Sequence, residues 1–277
     1  MRRRAFIINC DDFGWTDGQN MAVERAYLQG VLNSASLLCT GDAFDEAVAI
    51  SRRLPGLRLG VHLALNETRP LLNPGELPGL TRPDGAFHDG AGALVRLWTS
   101  GRLDGQAVMA EWRAQIERAL EAGVALSRLD GHKHVHMLPP LADVVIGLAQ
   151  EYGVPYVRLP FEPLSVGTLR RGPGGLVLWA MAWRARTRLK QVGLSFADHF
   201  VGFGLSGALT AERLKAIIRE AWQGVTEIMV HPAVMTPAVE ALARRFGWAA
   251  RYQFEEELAA LCDPDVKSLL EQVQAAR

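Results

Sequence analysis

Several things are scarce in this chain of 277 residues. It has three cysteines, Cys10, Cys39 and Cys262, widely spaced and without a CxxC pair. That excludes a disulfide framework and points to a reducing, cytoplasmic setting. It has no charge excess either, because 30 basic residues balance 30 acidic ones. A nucleic-acid binder relying on a strong positive field is therefore excluded, and no motif argues for one. No apolar run reaches the roughly 18 residues a membrane span needs. The start, "MRRRAFIINCDDFG", places three arginines before a short apolar run from Ala5 to Ile8 and does not read as a signal peptide. Tandem repeats and low-complexity tracts are absent. Apolar residues are not scarce: at 49% they suffice for a sizeable core.

Short apolar runs alternate with helical patterns. Strands are expected at 5–9, 35–40, 57–65, 126–132, 155–160, 197–204 and 226–233. Helices are expected at 20–30, 44–54, 104–123, 141–153 and 210–224, the last with Thr210 as its N-cap. Residues 66–92, rich in Pro and Gly, read as a long loop of the kind that is usually functional. Strands alternating with helices imply a parallel sheet. Polar residues fall at many strand ends: Asp11 and Asp12 after the first, His62 in the third, His132 at the fourth, Arg158 in the fifth and His231 at the seventh. An open sheet would gather them at one switch point. Scattering over many strand ends instead suits an α/β fold of the (β/α) barrel type, TIM-like but distorted and seven-stranded, in a single domain.

The densest signal is "RLDGHKHVHMLPP" (128–140). Three of the seven histidines, His132, His134 and His136, occupy alternate positions there. Period-two spacing on an extended backbone would aim all three at one face. Histidine is the commonest metal ligand. "INCDDFG" (8–14) adds two adjacent carboxylates, and consecutive strand residues point in different directions, so one can bind metal while the other faces substrate. Asp12, His62 and His132 make the ligand set of an open metal site, although spacing alone does not choose among His132, His134 and His136. Two histidines and a carboxylate suit Zn, Fe, Mn, Ni or Co and leave Mg open.

The ordered motifs "INCDDFG", "GVHLAL", "LDGHKHVHMLP", "VRLP" and "TEIMVHP" resemble the YdjC-like carbohydrate deacetylases, over residues 5 to about 235. The resemblance implies a distorted (β/α) barrel that removes acetyl groups from N-acetylated sugars with one divalent metal. It implies Asp11 as the catalytic base and Asp12, His62 and His132 as the metal ligands. Amide hydrolysis also needs an acid for the amine, a role His231 could fill, and Arg158, His134 and His136 are then expected to bind substrate or support the ligands. "VRLPFEP", "GFGLSGALT" and "GVTEIMVHPA" look closest to a subgroup associated with hopanoid biosynthesis, which would make the substrate an acetylated glycolipid. Cys10 departs from the Ala that many members carry.

Other readings remain. A non-haem iron oxygenase would share the two-His-one-carboxylate triad but has no need of a second Asp. A soluble chitooligosaccharide-type substrate, or a non-catalytic sugar- or lipid-binding barrel, are further alternatives. Residues 163–197 hold no acidic residue and carry Arg170, Arg171, Arg184, Arg186, Arg188 and Lys190, with Trp179 and Trp183. They read either as an ordinary barrel helix or as a basic, aromatic insertion in weak peripheral contact with an anionic membrane. The sequence leaves the oligomeric state open, a dimer included.

Overall fold

Six parallel strands form the centre of the computed structural model, which describes residues 4–162, 173–220 and 223–275. They are β1 (Arg4–Phe13), β2 (Ser34–Leu37), β3 (Arg58–Leu63), β4 (Leu126–Gly131), β5 (His199–Val201) and β6 (Gly224–Val230). Their order across the sheet is β4-β3-β2-β1-β6-β5, and the sheet curls into a half-barrel. Strands buried on both faces have no polar side to keep, so they read as continuous apolar runs. β1 is the hub. It pairs with β2 on one side and, from Arg4↔Gly224 to Cys10↔Val230, with β6 on the other.

The closed seven-stranded barrel expected from the sequence is not what forms. Residues 155–160 make isolated parallel bridges, Val157 to Leu129 and Tyr156 to Ser195, instead of a strand. Pro155 and Pro160 bracket this segment, and proline has no N–H to give a ladder. β1 is longer than expected and carries Asp11 and Asp12 on its own end, where pairing with β2 shifts register between Cys10 and Phe13. Asp12 sits there at φ 63°, in the left-handed region.

Helices cover the sheet: α1 (Asp17–Gln29), α2 (Phe44–Ser51), α3 (Gly92–Thr99), α4 (Gly105–Glu121), α5 (Pro139–Glu151), α6 (Pro173–Gln191), α7 (Ala211–Arg219), α8 (Pro237–Arg245), α9 (Phe254–Leu261) and α10 (Pro264–Ala275). Thr210 caps α7 as expected, its hydroxyl accepting from Arg213 N. α4 buries Val108, Trp112, Ile116 and Ala119, a repeat of three and four residues that gives it one apolar face.

Before α3 begins at Gly92, the 66–92 segment is irregular apart from a short turn at Pro74–Glu76 and a single antiparallel bridge between Thr81 and Phe87. It is anchored from below by Glu111 of α4, whose carboxylate accepts from Leu71 N and Leu72 N at 3.0 Å each. The segment's own Leu77, Leu80 and Phe87 are buried. Of the basic stretch, residues 163–172, including Arg170 and Arg171, lie outside the described residues. The rest is largely α6, which buries Ala182, Ala185 and Leu189 and exposes Leu176, Val177 and Trp183. Among the described residues, no helix is long and apolar enough to cross a membrane.

Candidate metal centre and active site

The strand ends bring Asp12, His62 and His132 together. All three are buried, and one potential ligand atom from each lies within 4.8 Å of the others. Asp12 Oδ1 is 2.9 Å from His132 Nδ1 and 3.4 Å from His62 Nε2. The outer nitrogen of each imidazole meets a carboxylate: His62 Nδ1 is 2.7 Å from Asp130 Oδ1, and His132 Nε2 is 2.9 Å from Glu67 Oε2. Such carboxylate–imidazole pairs fix the tautomer and orientation of metal-binding histidines. Burial alone would raise the Asp12 carboxyl, but His132 and then His62 outweigh it and hold it well below the usual carboxylate range. Burial would lower His62, yet Asp11 and Asp130 push it up to about 10. A divalent cation would compete with those protons for the same nitrogens. The donor set therefore fits a divalent metal.

Asp11, His62 and Asp130 form a second tight group. It does not fit a cation, because Arg158 already occupies it. The Arg158 guanidinium donates to both Asp11 oxygens, at 2.6 and 2.7 Å, and its Nη2 is 3.1 Å from Asp130 Oδ2. Arg158 is fully buried and its Nε donates to Glu227 Oε1 at 2.7 Å. Glu227 also pairs with Arg128 and accepts from the Tyr156 hydroxyl. Asn9 Nδ2 completes the cradle, donating to Asp11 Oδ1 at 2.8 Å and to Ser36 Oγ at 2.9 Å.

The histidine cluster does not present three side chains on one face. β4 stops at Gly131, and His132–Met137 form a tight helical turn in which Lys133 (φ 52°) and His134 (φ 55°) are left-handed. An extended strand cannot include such residues, so the alternation is broken and the three rings diverge. His132 meets Asp12. His134 packs edge-on against Phe200, ring centroids 5.7 Å apart, and lines the pocket. His136 lies 3.0 Å, through Nε2, from the Arg158 carbonyl and is buried at the fold's interior. It supports the backbone that carries Arg158 and does not line the pocket.

His231 follows β6, its Nε2 4.0 Å from Asp11 Oδ2. Burial pushes its imidazole down to about 4. Its backbone N donates to Glu257 Oε2 at 2.7 Å, and Glu257 also accepts from Leu209 N at 3.1 Å. The pocket above the cluster, about 120 Å³, is walled by Lys133, Phe203, Ser206, Trp248 and Tyr252. Asp130, Glu67, Glu227, Trp248 and Glu257 were not singled out as site residues from the sequence. One signal was available: "FGWAARYQF" packs four aromatics into residues 246–254.

The family described as YdjC-like protein matches residues 5–272 of the chain. A carbohydrate deacetylase of Brevibacillus brevis is 32% identical over 240 residues, covering 84% of this chain and 83% of that protein. A chitooligosaccharide deacetylase of Escherichia fergusonii is also 32% identical, over 88% of this chain and 87% of that one. Among solved structures, a protein of Enterococcus faecalis with a suggested role in cellobiose-phosphate cleavage superposes with a TM-score of 0.77. It is 25% identical, over 99% of this chain and 96% of that one.

Proposed function

The chain belongs to the YdjC-like protein family, and on that premise we propose that it is a metal-dependent hydrolase removing the N-acetyl group of an acetylated amino sugar. The observation that carries this reading is the convergence of Asp12, His62 and His132 beside a second, arginine-held carboxylate, Asp11. A divalent cation held by Asp12, His62 Nε2 and His132 Nδ1 would lower the pKa of a bound water and polarise the acetyl carbonyl. Asp11 takes the proton of the attacking water as general base. Arg158 clamps both Asp11 oxygens and so fixes the direction in which that carboxylate accepts. His231, also beside Asp11, delivers a proton to the leaving amine. Because burial holds its imidazole at about 4, it starts turnover neutral at pH 7, and the proton must reach it during the reaction. Asp11, with Oδ2 4.0 Å away, carries the proton taken from the water and is placed to pass it on. The aromatic wall of Trp248 and Tyr252 shields the amide from bulk water and gives a sugar ring an apolar face to rest on.

Acetate release from N-acetylglucosamine oligomers, measured with and without a chelator, tests the reading. Metal-dependent release is expected, and oxygen-dependent turnover without acetate would replace it with the oxygenase reading. A lipid-linked amino sugar is the finer alternative for the substrate, supported by exposed Leu176, Val177 and Trp183 on a helix with exposed Arg184, Arg188 and Lys190. Part of that helix is occupied internally: Trp179 packs on Phe161 at 5.2 Å, and Arg188 pairs with Asp143 at 3.1 Å. Sedimentation with anionic liposomes separates the two. Protein left in the supernatant at low salt favours a soluble sugar.

A further inference from the structure

The two histidines of the candidate metal centre are supported from different places. Asp130, which faces His62, belongs to a strand. Glu67, which faces His132, stands at the start of the 66–92 segment. We propose that Glu67 is a positioning residue that fixes His132 for metal binding and ties that imidazole to the C-terminal segment through Trp248. The inference rests on the metal site of the reading above.

An imidazole can give only one nitrogen to a cation, and the partner of the other decides which. His132 Nδ1 faces Asp12, and its Nε2 faces Glu67 Oε2 at 2.9 Å. Glu67 is itself held from the other side. Trp248 Nε1 donates to both its oxygens at 3.1 Å, and Lys133 Nζ lies 3.5 Å from Oε2 and 3.4 Å above the Trp248 ring. His132 and Trp15 also meet edge to face, ring centroids 5.0 Å apart. Glu67, buried, adopts φ 66°, a conformation that side-chain-bearing residues avoid unless their surroundings impose it.

Holding the loop does not account for this carboxylate. Glu111 already binds Leu71 N and Leu72 N, Gln115 binds the backbone of Ala64, and the Glu67 backbone N donates to the His88 carbonyl. The loop is anchored on both flanks without the Glu67 side chain. What the side chain contributes is charge at the outer nitrogen of His132, which keeps the N–H there and the lone pair on the Asp12 side.

The test is a competition titration of Zn²⁺ against a chromophoric chelator, with melting of the metal-free proteins alongside. Glu67→Gln keeps the shape and an acceptor for Trp248 but removes the charge. It is expected to weaken Zn²⁺ binding about 10- to 100-fold, the usual cost of losing such a support, with the metal-free melting temperature unchanged. Trp248→Phe, which removes the N–H that holds the carboxylate, is expected to give a smaller loss of the same kind. Wild-type Zn²⁺ affinity in Glu67→Gln overturns the inference. A loss that only tracks a fall in the metal-free melting temperature overturns it too. If Glu67→Gln does not fold, Trp248→Phe decides: weaker binding supports the role and unchanged binding overturns it. A wild-type protein that binds Zn²⁺ through this route but releases no acetate would remove the deacetylase reading and leave the role of Glu67 standing.

Discussion

The two sides of the site are built from different material. On one side Asp11, His62, Asp130, Arg158 and Glu227 interlock as a fully enclosed charge network carried by β1, β3, β4, β6 and the segment after Pro155. On the other, His132, Glu67, Lys133, Trp248, His231 and Glu257 come from turns, a long loop and the last part of the chain. Buried ion networks are poor stabilisers but punish the loss of a member, because the partner is left charged and dry. Supports borrowed from loops cost the fold less to change and act on the groups they touch. Loss of a buried partner in the strand-side network should therefore cost the fold more than loss of a loop-side support.

The largest effect is expected where both sides meet. Asp12→Ala, His62→Ala and His132→Ala should each abolish metal retention after dialysis and acetate release, because each removes one of three ligands. Full metal content in His132→Ala would break the ligand assignment. Next comes Asp11→Asn, which should keep bound metal yet lose turnover by about 10² to 10⁴, the range for removal of a general base. Near-normal turnover would hand the role of base to another group.

Glu227→Gln sharpens the contrast between the sides. It leaves Arg128 and Arg158 buried with one carboxylate fewer and should cost about 3–5 kcal/mol in denaturant unfolding. A loss below about 1 kcal/mol, within the range of an exposed pair, would mean the network is not the rigid side. The smallest effect is a pH dependence on the loop side. Burial raises the Glu257 carboxyl to about 7, against an ordinary value of 4.5. A raised folded-state value means its contribution is full below about 4.5 and is lost as pH climbs through 7. Metal-free wild type should thus lose stability over that window relative to Glu257→Gln, by on the order of 3 kcal/mol at 1.36 kcal/mol per unit. Parallel stability–pH curves for the two proteins would remove Glu257 from the account.

Much of the strand side was legible because strands impose order on sequence. Asp11, Asp12 and His62 stand at or next to the ends of apolar runs, and the structure gathers them there; His231 on the other side was legible in the same way, since it directly follows β6. The histidine alternation misled, since Lys133 and His134 turn left-handed and nothing in their side chains announces it. The fifth strand misled for a related reason, because two prolines cut its ladder to single bridges. Glu67 and Glu257 were illegible because a lone acid in a loop or helix has no period. Their partners lie 65 and 26 residues away, His132 for Glu67 and the His231 backbone for Glu257. α3 escaped notice because it is short and follows directly on a Gly-rich stretch.

The placement of β1 between β2 and β6 has a consequence for how the protein is made. β1 leaves the ribosome before β2 and finds it soon after, but its other neighbour begins only at Gly224. At 5–20 residues per second, β1 waits roughly 10–40 s with an apolar edge unpaired. Such an edge is a template for pairing with other chains. That edge is thus exposed until β6 is made, and the site is incomplete until Trp248 and Glu257 emerge. Chains stopped before residue 224 are expected to aggregate or bind chaperones, while the finished chain buries the edge and assembles the pocket in one late step.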